Sequence, residues 1–284
     1  STKLRQVKPF WIKKEKVYYY VDVWKDFIDE YCRDDVLILG LSVYKHQEIF
    51  QKISYQLLRE QQLKKFIQYI KETHSTNDEI WHHEITNNPL IIITDSQTKG
   101  KGRRSNNWFS KKYESLLFSI GIMDQQLSLL SQKVSIAIVN AITNKTQLNP
   151  KIKWPNDILI NNKKVGGILI EKKKRVINIG VGINVNIKYN DFPKELKNNM
   201  TSLYVEQNKQ FSREKLLAEI MQSIDYYLNL DEDSAISKWN TMCAHNNSKI
   251  KFHHEDKLIS GTFLGIDNSG FAIIKTKEEV NYYS

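Results

Sequence analysis

A short basic segment, residues 100–108, combines the chemical groups that suit an anionic ligand. It reads GKGRRSNNW and carries Lys101, Arg103 and Arg104 ahead of Trp108. Its glycines permit close approach of the backbone to a ligand, and guanidinium groups supply forked, permanently charged donors for carboxylate and phosphate oxygens. The segment therefore predicts an anion-binding loop, although a solvated surface loop has the same composition.

Other segments carry polar residues where a ligand could lie. They read STN at 75–77, KWPND at 153–157 with KVGG at 164–167, and GVGIN at 180–184. Within residues 177–187, β-branched residues alternate with small or polar ones, which predicts a strand. One face of that strand lacks bulk at Gly180 and Gly182, where either a ligand or a packed helix could approach. The sequence alone does not separate these alternatives.

The elements that must hold these segments begin at Phe66, where short strands alternate with helices. Apolar patterns predict strands at 66–72, 90–94, 116–122, 152–160 and 165–171, the last two paired across a turn at 161–164. Ser75 or Thr76 followed by an acid three residues later predicts a capped helix. An amphipathic helix is predicted along 130–141, and another begins after Ser212. Strands at 249–253, 258–266 and 271–275 predict a small terminal β domain.

Composition excludes several classes of protein. The 284 residues are 40% hydrophobic and 26% charged, as in globular proteins, and no apolar run approaches the ~20 residues of a membrane span. No signal-peptide pattern opens the chain. The two cysteines form no disulfide or metal-ligand pattern, so we expect a cytoplasmic protein. The net charge of +10 is consistent with an acidic partner, with nucleic acid, or with a Lys/Asn-rich composition.

Taken together, HSTND, GKGRRSNNW, KWPNDILI, KKVGGILIE and GVGINV resemble the catalytic domain of biotin protein ligases. The resemblance covers residues 66–284, and the segment GTFLGIDNSGFAIIK is similar to the small SH3-like barrel of that family. It implies an α+β fold in which a mixed sheet is backed by helices, as in class II synthetases. The implied domains are a catalytic domain at 66–244 and an SH3-like domain at 245–284, after an appendage at 1–65.

The resemblance implies a ligase reaction in two steps. Biotin and ATP, with Mg²⁺ bound to the phosphates, form biotinyl-5′-AMP, and the biotinyl group then passes to a lysine of the biotin carboxyl carrier protein of acetyl-CoA carboxylase. Positive charge is needed where negative charge develops at the α-phosphate. The family match assigns catalysis to Lys101, Arg103, Lys164 and Asp157. Asp157 could position Mg²⁺, orient Lys164 or deprotonate the acceptor lysine.

The same match assigns the ligand contacts. For biotin it implies Ser75, Thr76, Gln97, Gly100, Lys101, Arg103, Lys164, Gly167 and Gly180, and for ATP it implies Arg103, Arg104, Trp108, Asn156, Lys164 and Asn184. Gly167 and Gly180 would leave room for the ligand, and Trp108 would form a wall or anchor the loop. Three departures stand out: Lys101 replaces the usual Arg, Ser105 replaces the usual Gly, and Met200 lies where some members carry an adenine-stacking Trp.

Alternative functions follow from the same resemblance. Some biotin ligases also repress transcription through an N-terminal winged helix. Residues 1–65 contain a single glycine, Gly40, and show helical spacing at 23–31 and 49–58 and a strand-like run at 36–41. We therefore expect a helical or α+β appendage without DNA binding. The related lipoate ligases carry an RRxSGGG segment that is missing here. An inert biotin sensor would not need the adenylation cations. The edge strands of the catalytic sheet offer a surface for a homodimer.

Overall fold

The computed structural model of the protein describes residues 13–14, 17–18, 66–125, 127–254, 257–277 and 279–284. In the first 65 residues it describes two short antiparallel strands, β1 (Lys13–Lys14) and β2 (Val17–Tyr18). The helices and the strand predicted between residues 23 and 58 lie outside the described residues, as does Cys32.

A seven-stranded mixed sheet forms the centre of the described structure, in the order β3-β4-β5-β9-β8-β7-β6. Strands β3 and β4 are parallel, and the other neighbours are antiparallel. The seven strands are β3 (Phe66–Ile70), β4 (Leu90–Thr94), β5 (Ser115–Met123), β6 (Lys151–Lys153), β7 (Asp157–Ile160), β8 (Lys163–Lys173) and β9 (Val176–Asn184).

Two predicted strands differ from the observed ones. The strand predicted at 152–160 is interrupted by Trp154, Pro155 and Asn156, so that β6 and β7 pair with each other across this turn. A proline cannot donate a hydrogen bond to a sheet ladder, which explains the break. Only β7 then pairs with β8 as the predicted hairpin. The strand predicted at 177–187 ends at Asn184.

Five α-helices accompany the sheet in the described chain. They are α1 (Thr76–Glu79), α2 (Leu130–Thr146), α3 (Leu203–Gln207), α4 (Arg213–Leu228) and α5 (Glu232–Met242). Helix α2 was predicted to be amphipathic, but Ile136, Val139 and Ile142 are buried in addition to the predicted face. It is buried on nearly every side because it contacts the sheet as well as α4 and α5. None of the described helices is long and apolar enough to cross a bilayer.

The predicted helix starts are only partly confirmed. Ser212 precedes α4 and its hydroxyl accepts a hydrogen bond from the Lys215 amide at 3.2 Å, as predicted. Ser75 precedes α1, yet its side chain makes no capping bond. Its backbone carbonyl accepts from the amides of Asp78 and Glu79 instead. Helix α1 is therefore a single turn, and the Ser75 side chain is left for the site described below.

A four-stranded antiparallel sheet follows α5 in chain order. It comprises β10 (Lys249–His254), β11 (Lys257–Ile266), β12 (Ala272–Lys275) and β13 (Val280–Tyr283). The first three strands were predicted, and β13 was not. The buried ring of Phe263 contacts Trp154, Trp239 and His245, which fixes this sheet against α5 and the β6–β7 turn.

A buried ion pair connects the end of β4 to α4. Arg213 donates to Asp95 at 2.8 Å and to the Ser115 carbonyl at 3.1 Å, and Tyr69 also donates to Asp95. Burial, together with Asp95, raises the pKa of Tyr69.

Removal of Arg213 would leave the buried carboxylate of Asp95 without its ion-pair partner. We therefore expect Arg213→Met to lower the free energy of unfolding by about 3–5 kcal/mol in urea titrations.

The surface pair between Lys172 and Asp124 provides the control for that substitution. Lys172→Met should cost less than about 1 kcal/mol, because the ammonium group is largely exposed. The double variant Arg213→Met/Asp95→Asn should recover part of the lost free energy of unfolding, because asparagine replaces the unpaired carboxylate with a neutral amide. A loss for Arg213→Met no larger than that for Lys172→Met would contradict a structural role for the buried pair.

Candidate active site

A cleft of about 190 Å³ opens between α1, the basic loop (residues 100–108) and strands β7, β8 and β9. Most of the predicted site residues line it: Ser75, Thr76, Gln97, Lys101, Arg103, Trp108, Asn156, Asp157, Lys164, Gly167 and Gly180. Segments up to about 100 residues apart in sequence therefore meet at one place. Three predicted residues, Gly100, Arg104 and Asn184, do not line this cleft.

The basic loop is closed on itself by its own backbone. Gly102 donates to the Asn106 carbonyl at 2.7 Å, and Trp108 donates to the Gly100 carbonyl at 2.9 Å. A Cβ on Gly100 would lie 2.6 Å from the Trp108 carbonyl oxygen, so this glycine is needed for the closure rather than for ligand contact. Arg104 is in the left-handed region, with φ 53°. Its guanidinium leaves the cleft and donates to the His253 carbonyl at 3.4 Å.

The three remaining cations of the site differ in how their charge is balanced. Lys164 contacts Asp157 at 2.6 Å, and Lys101 contacts Asp78 on α1. Arg103 has no ion-pair partner within the described chain, and burial, reinforced by Arg104 and opposed by the nearby Asp157 carboxylate, lowers its pKa. A half-buried guanidinium without a carboxylate partner strongly favours an anionic ligand. The cleft therefore presents two lysines that form ion pairs and one arginine that, among the described residues, forms none.

An irregularity in β8 directs Lys164 into the cleft. Ile158 pairs with Gly166 and Leu159 pairs with Lys164, which leaves Val165 as an extra residue, a β-bulge. Val165 and Gly166 consequently both face the core, and Lys164 shares the cleft face with Gly167. A Cβ on Gly167 would lie 3.3 Å from Lys164 Cε. Regular alternation would have placed these two residues on opposite faces.

The backbone of Lys164 is also hydrogen-bonded on the side that faces away from β7. Its amide donates to the Asn199 carbonyl at 2.8 Å, and its carbonyl accepts from the Thr201 amide at 2.9 Å. Met200, between these two residues, is buried with Ile187 and Phe192 in an apolar cluster against Trp108. The backbone of Lys164 is therefore held by β7 on one side and by residues 199–201 on the other before any ligand binds.

The glycines of β9 accommodate protein side chains. A Cβ on Gly180 would lie 1.7 Å from Asn77 Oδ1, and one on Gly182 would lie 2.5 Å from Trp108 Cε2. Gly180 was predicted to leave room for a ligand, but the space beside it is occupied by Asn77, as the packed-helix alternative required. The indole ring of Trp108 lies directly against Gly182 and forms a wall of the cleft. Its Nε1 has no hydrogen-bond partner among the described residues.

Asn77 was missed as a site residue, although it belongs to the STN motif. Its Nδ2 donates to Glu171 at 3.0 Å, and its backbone carbonyl accepts from Asn178 at 3.0 Å. The Ser119 hydroxyl lies 2.9 Å from Asn77 Oδ1 and 2.8 Å from Thr76 Oγ1. These groups are buried and hold α1 against β5 and β9. No local sequence signal marked Ser119, because its neighbours read as an ordinary buried strand.

Gln97 forms the uncharged, hydrogen-bonding end of the cleft. Its Oε1 accepts from the Thr76 amide at 2.8 Å and from the Thr76 hydroxyl at 3.1 Å. This leaves the amide Nε2 of Gln97 and the hydroxyl of Ser75 as polar groups for a neutral ligand. The cleft is thus neutral and polar at this end and cationic at the other, so it suits an elongated molecule with an anionic group at one end.

The two asparagines predicted to contact ATP have structural partners. Asn156 lines the cleft, but its Nδ2 donates to the Ile168 carbonyl at 2.7 Å, which ties the β6–β7 turn to β8. Asn184 is fully buried and donates to the Thr201 carbonyl at 3.0 Å. It is on the same face of β9 as Gly180 and Gly182, but it does not line the cleft and instead holds the segment that pairs with Lys164. The ATP assignment of Asn184 is therefore not supported by its position.

Comparison with known proteins identifies relatives of the chain. Residues 66–188 match the model of the biotin/lipoate A/B protein ligase family. The bifunctional ligase/repressor BirA of Bacillus subtilis is 31% identical over 226 residues, which are 70% of this chain and 66% of that protein. Biotin–[acetyl-CoA-carboxylase] ligase of Mycobacterium tuberculosis is 30% identical over 122 residues, covering 40% of this chain and 44% of the relative.

The described fold also matches a solved structure. Biotin protein ligase from Aquifex aeolicus, in complex with biotin and ATP, superposes with a TM-score of 0.69 at 27% identity, covering 77% of this chain and 95% of that one. This likeness confirms the predicted sheet-and-helix fold of the catalytic part. The chain spans slightly less than two thirds of the Bacillus relative, so that relative contains further sequence without a counterpart in the aligned region.

The contact between Asn77 and Gly180 generates a stability prediction. Gly180→Ala should lower the free energy of unfolding by about 2 kcal/mol, since the new methyl group collides with the Asn77 amide. Asn77→Ala removes the colliding atoms, so Gly180→Ala should cost clearly less in that background. Urea titration of the four proteins measures the coupling. Gly102→Ala is the control, because its Cβ would meet nothing closer than 3.3 Å. Strictly additive losses would contradict the collision.

Proposed function

Because the chain belongs to the biotin protein ligase family, we propose that it activates biotin with ATP and transfers it to a lysine of a biotin carboxyl carrier protein. The observation that carries the proposal is the single cleft in which a neutral polar end at Thr76 and Gln97 adjoins Lys101, Arg103 and Lys164. The neutral end suits the ureido ring of biotin. The cationic end suits its carboxylate and the α-phosphate of ATP.

In the first step, a carboxylate oxygen of biotin attacks the α-phosphorus of ATP. The carboxylate oxygen forms a bond to the α-phosphorus. The bond between the α-phosphorus and the oxygen that bridges to the β-phosphate breaks, and pyrophosphate leaves. Both reactants are anionic, so the site must offset their repulsion and the charge that develops at phosphorus. Arg103 is suited to bind this anion, because it has no protein carboxylate partner in the described chain. Lys164 is suited to contact the reacting oxygens, because the bulge directs it into the cleft.

In the second step, the neutral amine of the acceptor lysine attacks the acyl carbon of biotinyl-5′-AMP. The amide bond forms, the bond between the acyl carbon and the phosphate oxygen breaks, and AMP leaves while the amine loses a proton. Asp157 was given three alternative roles. Its contact with Lys164 at 2.6 Å supports the role of orienting that ammonium. We propose this as its main role, with water as the final proton acceptor.

Mg²⁺ is proposed to accompany ATP rather than to occupy a site made by the protein alone. The described residues contain no group of three or more His, Cys, Asp or Glu side chains arranged to hold a metal. Asp157, the one carboxylate assigned to the metal, is paired with Lys164. When bound, Mg²⁺ would neutralise phosphate charge. The chain itself would contribute the cations that bind the same phosphates.

The terminal sheet supports a finer proposal about the fold. We infer that residues 245–284 form an SH3-like barrel, since four antiparallel strands follow one another and β11 bends at an irregularity between Phe263 and Gly265. The domain limits 66–244 and 245–284, a homodimer and a cytoplasmic location remain predictions. Repression through residues 1–65 is the alternative function. This alternative is retained because the Bacillus relative is named a bifunctional ligase/repressor.

A pyrophosphate assay tests the proposed reaction. The full chain mixed with MgATP should release pyrophosphate when biotin is added, and lipoate should not replace biotin. Lys164→Gln should slow this release by about 100-fold or more, because a preorganised cation is lost from the charged transition state. Lys163→Gln, on the opposite face of β8, is the matched control and should leave the rate within about twofold. No biotin-dependent release from the unaltered protein would refute the ligase assignment.

A further inference from the structure

A row of polar side chains, here called the polar network, leads from β8 to the neutral end of the cleft. Its members, in order of contact, are Glu171, Asn77, Ser119, Thr76 and Gln97, and each lies within hydrogen-bond distance of the next. The three middle members are buried, so their hydrogen bonds must be made within the protein or to a ligand. Thr76 and Gln97 line the cleft, whereas Glu171 and Ser119 do not.

The carboxylate of Glu171 fixes the orientation of the Asn77 amide. A carboxylate only accepts hydrogen bonds, so the Asn77 atom that lies 3.0 Å from Glu171 must be the amide nitrogen. The same nitrogen lies 3.4 Å from the Leu169 carbonyl, which is also an acceptor. Asn77 Oδ1 therefore points to the Ser119 hydroxyl at 2.9 Å and can only accept a proton from it.

The polar network is one proton short. Three pairs of oxygens meet in it: Asn77 Oδ1 with Ser119 at 2.9 Å, Ser119 with Thr76 at 2.8 Å, and Thr76 with Gln97 Oε1 at 3.1 Å. The backbone amide of Thr76 donates to Gln97 Oε1 at 2.8 Å, which identifies that atom as the oxygen. Both end oxygens belong to amide carbonyls, so only the two hydroxyl groups supply protons. In every arrangement, one pair of oxygens has no proton between them, which is unfavourable.

We propose that Glu171 and Ser119 are positioning residues through which the neutral end of the cleft selects a ligand N–H group. An N–H group that donates to Thr76 Oγ1 and Gln97 Oε1 supplies the third proton. The Thr76 hydroxyl then donates to Ser119, and the Ser119 hydroxyl donates to Asn77. This inference rests on the proposed ligase function, in which the ureido ring of biotin brings the N–H group, and it names the residues that set the polarity of that contact.

The same proton count predicts discrimination against a ligand that has no N–H group. The dithiolane ring of lipoate cannot supply the third proton, so one pair of oxygens stays without a proton when lipoate occupies the cleft. A site rejects a ligand strongly when buried polar groups are left unpaired. A network that served only to hold α1 against the sheet would be indifferent to the N–H groups of the ligand, and this difference can be measured.

A paired change of protein and ligand tests the proposal in the full chain. The probes are biotin and its two lactam analogues, in each of which a different ureido N–H is replaced by CH₂. Each analogue is measured as a competitor of biotin in first-turnover pyrophosphate release. In the unaltered protein, one analogue should bind about 10- to 100-fold more weakly than biotin, because it cannot supply the missing proton. In Ser119→Ala, the Thr76 proton can stay on Gln97, so the same replacement should cost less than about threefold.

Glu171→Gln tests the polar network without removing a buried hydroxyl. A glutamine can donate to Asn77 Oδ1, so the Asn77 amide can reverse and donate to Ser119. The protein then supplies the third proton itself, and the penalty for the CH₂ analogue should shrink here too. In both variants the half-saturating concentration of biotin should rise about tenfold. The maximal rate should stay within about twofold, because the reacting oxygens lie at the cationic end.

Two variants outside the polar network provide matched controls. Ser135→Ala removes a buried hydroxyl that donates to the Gln132 carbonyl within α2. Glu219→Gln alters a carboxylate that accepts from the side-chain amide of Asn144, as Glu171 does from Asn77. Both controls should keep the half-saturating concentration of biotin and the analogue penalty of the unaltered protein.

Two results would overturn the proposal. One is an analogue penalty that stays the same in Ser119→Ala and Glu171→Gln, and the other is an unaltered half-saturating concentration of biotin in both. Either result would leave the polar network with a packing role alone. Glu171 is only partly buried, so Glu171→Gln decides the matter if urea titration shows that Ser119→Ala does not fold. Absence of biotin-dependent pyrophosphate release from the unaltered protein would instead refute the ligase function itself.

Discussion

The site depends on a surface of β8 and β9 that carries almost no side-chain bulk. Gly167 and Gly182 pair across the two strands, and Gly180 lies next to them on the same face. Asn77 and Trp108 can therefore lie directly against the backbone, at distances that a single Cβ would prevent. Helix α1 and the basic loop are positioned by these two contacts. The position of these two walls of the cleft therefore depends on the absence of a Cβ at Gly180 and Gly182.

The electrostatic arrangement follows from this packing. With α1 held against β9, Asp78 on α1 forms an ion pair with Lys101 of the basic loop. With the bulge in β8, Lys164 reaches Asp157. Lys101 and Lys164 are therefore each paired with a carboxylate, which lowers the electrostatic cost of placing three cations in one cleft. Arg103, which also lines the cleft, makes no direct ion pair with a described carboxylate, and only the nearby Asp157 offsets its charge. An anionic ligand could therefore pair with Arg103 directly.

Local patterns in the sequence predicted much of this structure, and the misses have identifiable physical causes. Alternation of apolar residues predicted β9, and the side chain of Ser212 predicted the start of α4, because both signals are local. The bulge at Val165 and the exit of Arg104 towards His253 depend on partners distant in sequence. Asn184 was predicted to bind ATP, but its buried side chain donates to the Thr201 carbonyl in the segment that holds Lys164. Residues of all the motifs line one cleft, whereas the direction of individual side chains depends on tertiary contacts that the motifs do not encode.

The replacement of arginine by lysine at position 101 becomes understandable from the position of Asp78. An ammonium group is a compact charge that can donate to a carboxylate and to a ligand at the same time, in directions that its flexible stem can adjust. A guanidinium fork would commit its planar face to one bidentate partner. Lys101 can therefore bridge α1 and the loop while it still faces the cleft. Arg103 is less exposed than Lys101 and makes no ion pair within the described chain, so under the proposed function it is the cation better suited to bind the anion directly.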